Sequence, residues 1–280
     1  MAKLAGNAQL QNSAGKPLFC LADINALDIP EKEMIYGSLL PLRLLEMFGI
    51  EKKTFCGSDG QRKVAFIAPT GLGLLRIHVK LHPLDRDMVF FIELADTRYR
   101  QMEFSFCIIA DPAAPRFDVD LDQFGRDNCF ATMGRNIPEE VRAMAAGLFP
   151  NQTRRGLSMF REFLPLLEGF VDSLAMEMIV AEPLTYDNAI RYERYGFDYL
   201  TGRRLMQEID AGFRPGGKLF RRLDGSSPFR MPGVEKTVRG RSWAIHDGIM
   251  DEPWDNVMIY KMIGEDAGVN TFPERQQEEK

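Results

Sequence analysis

Histidine, closely spaced cysteine and long apolar runs are all scarce in this chain, and each shortage removes a class of function. Only three histidines occur among 280 residues. His78 and His82 stand four apart, a spacing that can chelate a metal on a helix. Here they lie in LLRIHVKLHP, whose composition predicts a strand, and strand residues four apart are separated by roughly 13 Å. No metal site is expected. The four cysteines, Cys20, Cys56, Cys107 and Cys129, contain no CxxC pair, which argues against a zinc knot or redox couple and for thiols in a reducing compartment. No apolar run approaches the roughly 20 residues a membrane-spanning helix needs. MVFFIELA is among the longest. The opening MAKLAGNAQLQNSAGKP lacks the apolar core of a signal peptide, and Ala2 is not the glycine that myristoylation requires. A basic excess is missing too: the net charge is −5, which excludes general nucleic-acid binding. The expectation is a cytoplasmic protein without a membrane partner.

What is present suits a folded α/β protein. Hydrophobic residues make up 45% of the chain and charged residues 27%, enough of the former for a sizeable core. Residues 1–17 are small and polar and read as a loose tail. Residues 18–273 read as a single α/β domain, and 274–280 as a charged C-terminal tail. The stripe Met34, Ile35, Leu39, Leu42, Leu45 and Phe48 predicts a helix over 31–48, which Pro41 kinks or splits. Between about 62 and 120, the runs KVAFIAP, LLRIHVKL, DMVFFIELA, MEFSFCIIA and RFDVD alternate with turn-forming segments, which predicts an antiparallel meander. In MEFSFCIIA, strict alternation puts Met102, Phe104, Phe106 and Ile108 on one face. Helices are predicted over 138–148 and 157–174, a strand at MEMIVAE, and a short helix at DNAIRYERY with Asp187 as its cap. FDYL, RSWAIHD and NVMIYKMI read as strands. Between them, residues 203–241 carry ten Lys/Arg against four Asp/Glu. That segment reads as a basic, loop-rich excursion after a helix at 203–211. It could cover an acidic substrate, reach a coenzyme phosphate or form a solvated face.

Three segments together resemble the GNAT-type acyl-coenzyme A N-acyltransferases over about 87–263. FPNQTRRGLSMF at 149–160 is similar to the loop with which that family holds the coenzyme A pyrophosphate at a helix start, where unpaired amides and the positive dipole end attract anions. DNAIRYERYGFDYL at 187–200 is similar to the family's helix and turn in which a tyrosine precedes Gly-Phe by four residues. WDNVMIYKMI at 254–263 resembles its closing strand. The chain departs from the family at Thr153, where Gln or Arg is preferred, and at Ser158, where Gly or Ala is preferred. A third departure is the helical PEEVRAMAAGL, which stands where a strand should lead directly into the loop.

The resemblance implies a mixed, largely antiparallel central sheet flanked by helices. It implies an acyl-coenzyme A cosubstrate, acetyl-coenzyme A or another, held by Arg154, Arg155, Gly156, Leu157, Ser158 and Asn188. It implies transfer to a small-molecule or peptide amine, with Tyr192 protonating the departing thiolate. Glu182 and His246 are candidates for the base, with Glu103 and Glu177 behind them. The reading admits a homodimer. Two alternatives stay open: a non-catalytic coenzyme A or anionic-ligand binding protein on the same scaffold, and an α/β enzyme of another class with a pocket in the aromatic-rich meander.

Overall fold

The computed structural model describes residues 9–273. In chain order the elements are α1 (Leu21–Asn25), α2 (Ile29–Gly37), α3 (Leu42–Met47), β1 (Val64–Ile67), β2 (Leu74–Val79), β3 (Phe90–Asp96) and β4 (Met102–Ile109). There follow α4 (Ile137–Ala145), α5 (Phe160–Ser173), β5 (Met178–Ala181), α6 (Tyr186–Glu193), β6 (Asp198–Thr201), α7 (Arg203–Phe213), α8 (Val238–His246) and β7 (Met258–Met262). The strands form a seven-stranded mixed sheet in the order β1-β2-β3-β4-β5-β7-β6. The β1–β4 meander is antiparallel, β4 and β5 run parallel, and β6 and β7 are antiparallel. The fold is thus α+β, with a mostly antiparallel sheet flanked by helices. None of the described helices is long and apolar enough to cross a membrane.

The chain forms two compact units, each built from separated stretches. Among the described residues the first comprises 9–113, 156–181 and 261–265, and the second 114–155, 182–260 and 266–273. In the first unit, α2 ends at Gly37 and α3 begins after Pro41, so the proline splits the predicted helix because its ring cannot continue the ladder. Asp28 caps α2 by accepting from the Glu31 N–H at 2.9 Å. One face of the meander packs on α5: Phe163 meets Phe90 edge-on and Phe104 obliquely, both at 5.7 Å, and Phe160 stacks on Phe104. Pro165 lies on the exposed side of α5, where a missing N–H costs less. Part of the expected N-terminal tail is tied down. The Leu10 N–H donates to the Ser173 carbonyl at 2.7 Å, and Gln11 bridges to Pro17. Residues 1–8 and the expected tail at 274–280 lie outside the described residues.

The second unit corrects two sequence expectations. RSWAIHD is not a strand but lies in and just beyond α8, because Thr237 caps a helix by accepting from the Gly240 N–H and Trp243, Ala244 and Ile245 are buried together. RFDVD forms no ladder. Phe117 and Val119 instead join Ala143, Leu148, Phe229 and Trp243 in a separate apolar cluster.

Helix α1 has no side-chain cap of its own. Asp96, at the end of β3, supplies one from outside: its two carboxylate oxygens accept from the Leu21 and Ala22 N–H groups at 2.9 and 3.0 Å. Asp96→Ala should therefore lower stability by about 1–2 kcal/mol, read as a lower urea midpoint with an unchanged m-value. Asp96→Asn should fall between the two.

Candidate functional site

The best candidate lies in the first unit, where β4 stops behaving as an interior strand. Glu93 of β3 faces Phe106, yet its neighbour Leu94 faces Phe104, so Ser105 is the extra residue of a β-bulge. A bulge reverses the alternation. Phe104 shares the core face with Leu94, whereas Phe106 and Ile108 turn to the opposite face beside Glu93 and Phe91. The uniform apolar stripe expected from MEFSFCIIA is therefore broken in the middle. Phe106 meets Phe91 edge-on at 5.9 Å on that far face.

The bulge also lies just past the end of the ladder to β5. The parallel pairing covers Met102 with Ile179 and Glu103 with Val180, while β4 continues to Ile109. Met102 and Phe104 are buried, but the five residues after them are only half-buried. At the far end the edge of β4 meets the returning chain. Gly156 forms an antiparallel bridge with Ala110, and the Leu157 N–H donates to the Ile109 carbonyl at 3.3 Å. Residues 111–155, which include α4, leave the end of β4 and return to it, so the loop does follow the strand in space.

Each predicted loop residue can now be placed. Gly156 eases the approach to β4, since a Cβ there would sit 3.1 Å from the Ile109 carbonyl oxygen, a tight contact. Leu157 spends its amide on that same oxygen. Ser158 is exposed and adopts φ +57°, the left-handed conformation that glycine adopts most easily. The departure from glycine thus falls where the backbone is strained. The turn feeds α5, which starts at Phe160 rather than 157 and whose N-cap, Met159, offers no side-chain bond. The Arg154 guanidinium donates to the Ala114 carbonyl, and Arg155 is exposed.

The remaining predicted residues belong to the second unit. Asn188 and Tyr192 sit four apart on one face of α6, both half-buried. The Tyr192 ring packs on Phe197 at 5.0 Å. Helix α6 starts one residue before Asp187, with Thr185 as its N-cap. Asp187 is not the cap. It is buried within the first turn and accepts from Ser242 Oγ of α8 at 2.6 Å. Burial pushes its carboxyl above the ordinary range, against the opposing pull of Arg191 and Ser242. Glu182 is exposed just beyond β5.

His246 ends α8, with its Nε2 3.3 Å from Oε1 of the buried Glu140. Arg135 chelates the same carboxylate, and also donates to Asp247 at 2.9 Å while lying 5.2 Å over the Phe229 ring. His246 is thus part of a structural ion network that sequence could not reveal, because its members are more than 100 residues apart for the His246–Glu140 and Arg135–Asp247 contacts.

The basic excursion is likewise largely self-satisfied. Arg214 and Arg241 pair with Asp210, Lys218 and Arg222 with Asp251, and Arg230 with Asp247. Among the described residues no group of three or more His, Cys, Asp or Glu is arranged to hold a metal. No family model, curated protein or solved structure matches the chain.

For Glu140, burial alone would raise the carboxyl, but hydrogen bonds from His246 and Arg135 hold it below its ordinary value of 4.5. A pKa depressed by folding stabilises the protein above the unfolded value and ceases to do so as pH falls through the folded one. Glu140→Gln should cost about 3 kcal/mol at pH 7, with a smaller loss of stability than wild type on acidification below 4.5. Denaturant titrations at pH 7, 5 and 3.5 check this. Identical pH slopes would refute it.

Proposed function

We propose that this protein is an acyl-coenzyme A-dependent N-acyltransferase, moving an acyl group, in the simplest case acetyl, to an amine. The observation that carries the reading is the β4–α5–β5 crossover. Two parallel strands are paired for only two residues, and the loop that opens α5 returns to the carboxyl end of β4. Ligands in open α/β sheets bind beyond the carboxyl ends of parallel strands, and an uncapped helix start favours an anion there. The amides at the start of α5 suit a diphosphate. The half-buried edge of β4 beyond the bulge suits the amide-bearing pantetheine arm, which can pair with a strand as another strand would. The helix, strand, helix order between Gly156 and Gly196 on which the resemblance rests supports the reading.

The chemistry follows from the substrates. The amine nitrogen, once it has lost a proton to a base, attacks the thioester carbonyl carbon. The carbon–sulfur bond then breaks and the thiolate takes a proton from the Tyr192 phenol. The products are an amide and free coenzyme A. His246 is a poor base for this purpose because its Nε2 is engaged by Glu140, which leaves exposed Glu182 as the better of the two candidates.

That engagement, together with the use of the Leu157 amide by Ile109, favours a second reading in which the scaffold binds coenzyme A or another anion without turnover. Two measurements separate the readings. Calorimetric titration with acetyl-coenzyme A should give saturable binding under both, and no heat at millimolar ligand would count against both. Release of free thiol with a panel of amines should occur only under the first. There, Tyr192→Phe should lower kcat by about 10²-fold or more with coenzyme A affinity unchanged.

A further inference from the structure

The second unit contains a buried carboxylate that the proposed reaction does not use. Glu193 follows Tyr192 at the end of α6 and is 4% exposed. Its partners come from β6 and from the last described stretch of chain. Tyr199 donates its phenol to Oε1 at 2.6 Å, the Thr271 hydroxyl donates to the same oxygen at 2.5 Å, and the Thr271 N–H donates to Oε2 at 3.0 Å. Two of these three bonds reach across 78 residues to a single threonine.

The segment Asp266–Phe272 is held at further points within the same unit. The Ala267 N–H donates to the Gly196 carbonyl at 3.2 Å. Gly196 has φ +80°, and a Cβ there would lie 2.9 Å from the Asp266 Cα, so the turn must be glycine for the strap to lie against it. Phe272 is fully buried, and the Arg241 guanidinium lies 4.5 Å from its ring centroid while pairing with Asp210 at 2.8 Å. The strap thus grips α6 at Glu193 and the following turn at Gly196. Tyr192 is next to the first grip in sequence and touches the residue after the second: its carbonyl accepts from the Phe197 N–H at 3.2 Å, and its ring packs on the Phe197 ring.

We propose that this C-terminal strap is a positioning device for Tyr192, with Thr271 as its latch on Glu193. Successive residues of a helix are fixed about 100° apart around its axis. Clamping the Glu193 carboxylate therefore fixes the direction of the Tyr192 phenol, and the strapped Gly196–Phe197 turn supports its ring. Thr271 and Glu193 are positioning residues and touch no substrate. The inference rests on the acyltransferase reading for its functional meaning, but the geometric coupling can be measured without it.

The test uses the full chain and the variants Thr271→Val, which removes the hydroxyl at constant shape, and Thr271→Ser, which retains it. Incorporation of 3-fluorotyrosine at position 192 gives a 19F resonance. This should shift or broaden in Thr271→Val and return in Thr271→Ser, and an unchanged resonance in a folded Thr271→Val overturns the proposal whether or not turnover exists. In the turnover assay, Thr271→Val should lower kcat about 10-fold with KM for the acyl-coenzyme A unchanged, and Thr271→Ser should recover it. In a Tyr192→Phe background the same change should have little further effect. An equal loss in both backgrounds would mean that the strap does not act through Tyr192. Failure of acetyl-coenzyme A to bind the wild type would instead remove the functional reading and leave the fluorine result to decide the coupling.

Discussion

One extra residue in a central strand sets the terms for the rest of the first unit. With Ser105 bulged out, β4 keeps its ladder to β3 on both sides of the irregularity, but the register shifts by one. Side chains before the bulge serve the aromatic core beneath α5, and the apolar pair after it, Phe106 and Ile108, faces the other way. The parallel ladder to β5 covers only Met102 and Glu103, just before this point. A strand that is interior by topology thus becomes half-buried along its second half. Interior strands normally pair on both edges along their length, and the ladder to β5 here is limited to two residues.

The stretch between β4 and α5 matters because it separates the two elements in sequence while leaving them adjacent in space. Residues 111–155 depart from Ala110, and the chain resumes at Gly156 in a bridge to that same residue. In space a β-strand is therefore followed by a turn into a helix, and most of the intervening stretch, 114–155, belongs to the second unit. That unit packs differently from the first. Alongside its apolar cluster it buries Glu140, Asp187, Glu193, Asp210 and Arg241. Each has a hydrogen-bonding partner, as the cost of an unpaired buried charge requires. Much of the positive charge concentrated at 203–241 is used in this way. Arg241, for example, lies between the Phe213 and Phe272 rings and donates to Asp210 and to the Glu235 carbonyl.

These pairings divide structural from chemical candidates. A histidine held by a buried glutamate, or an arginine donating to a backbone carbonyl, has already spent part of its capacity within the fold. His246 and Arg154 are of that kind. Glu182, Arg155 and Ser158 are exposed, and Tyr192 and Asn188 half-buried. Within the second unit the proposed chemistry therefore leans on the α6 face rather than on the most reactive-looking residue type.

Periodicity by itself determined the β1–β4 meander, α5 with its Leu164, Leu167 and Val171 stripe, and the break at Pro41, since each depends on neighbours within a few residues. The short helix at DNAIRYERY was legible in the same local way, whereas Gly156 and Tyr192 were singled out by the resemblance and not by periodicity. What it could not decide were features that depend on distant partners. RSWAIHD is short and apolar enough for a strand, and became a helix because Thr237 caps it and Trp243 finds a place against Phe229. The bulge at Ser105 is visible only from the register of β3. The return of Gly156 to Ala110, the pairing of His246 with Glu140 and the latch from Thr271 to Glu193 join residues 46, 106 and 78 positions apart. Local propensity carries no information about such contacts, and only the folded chain brings them together.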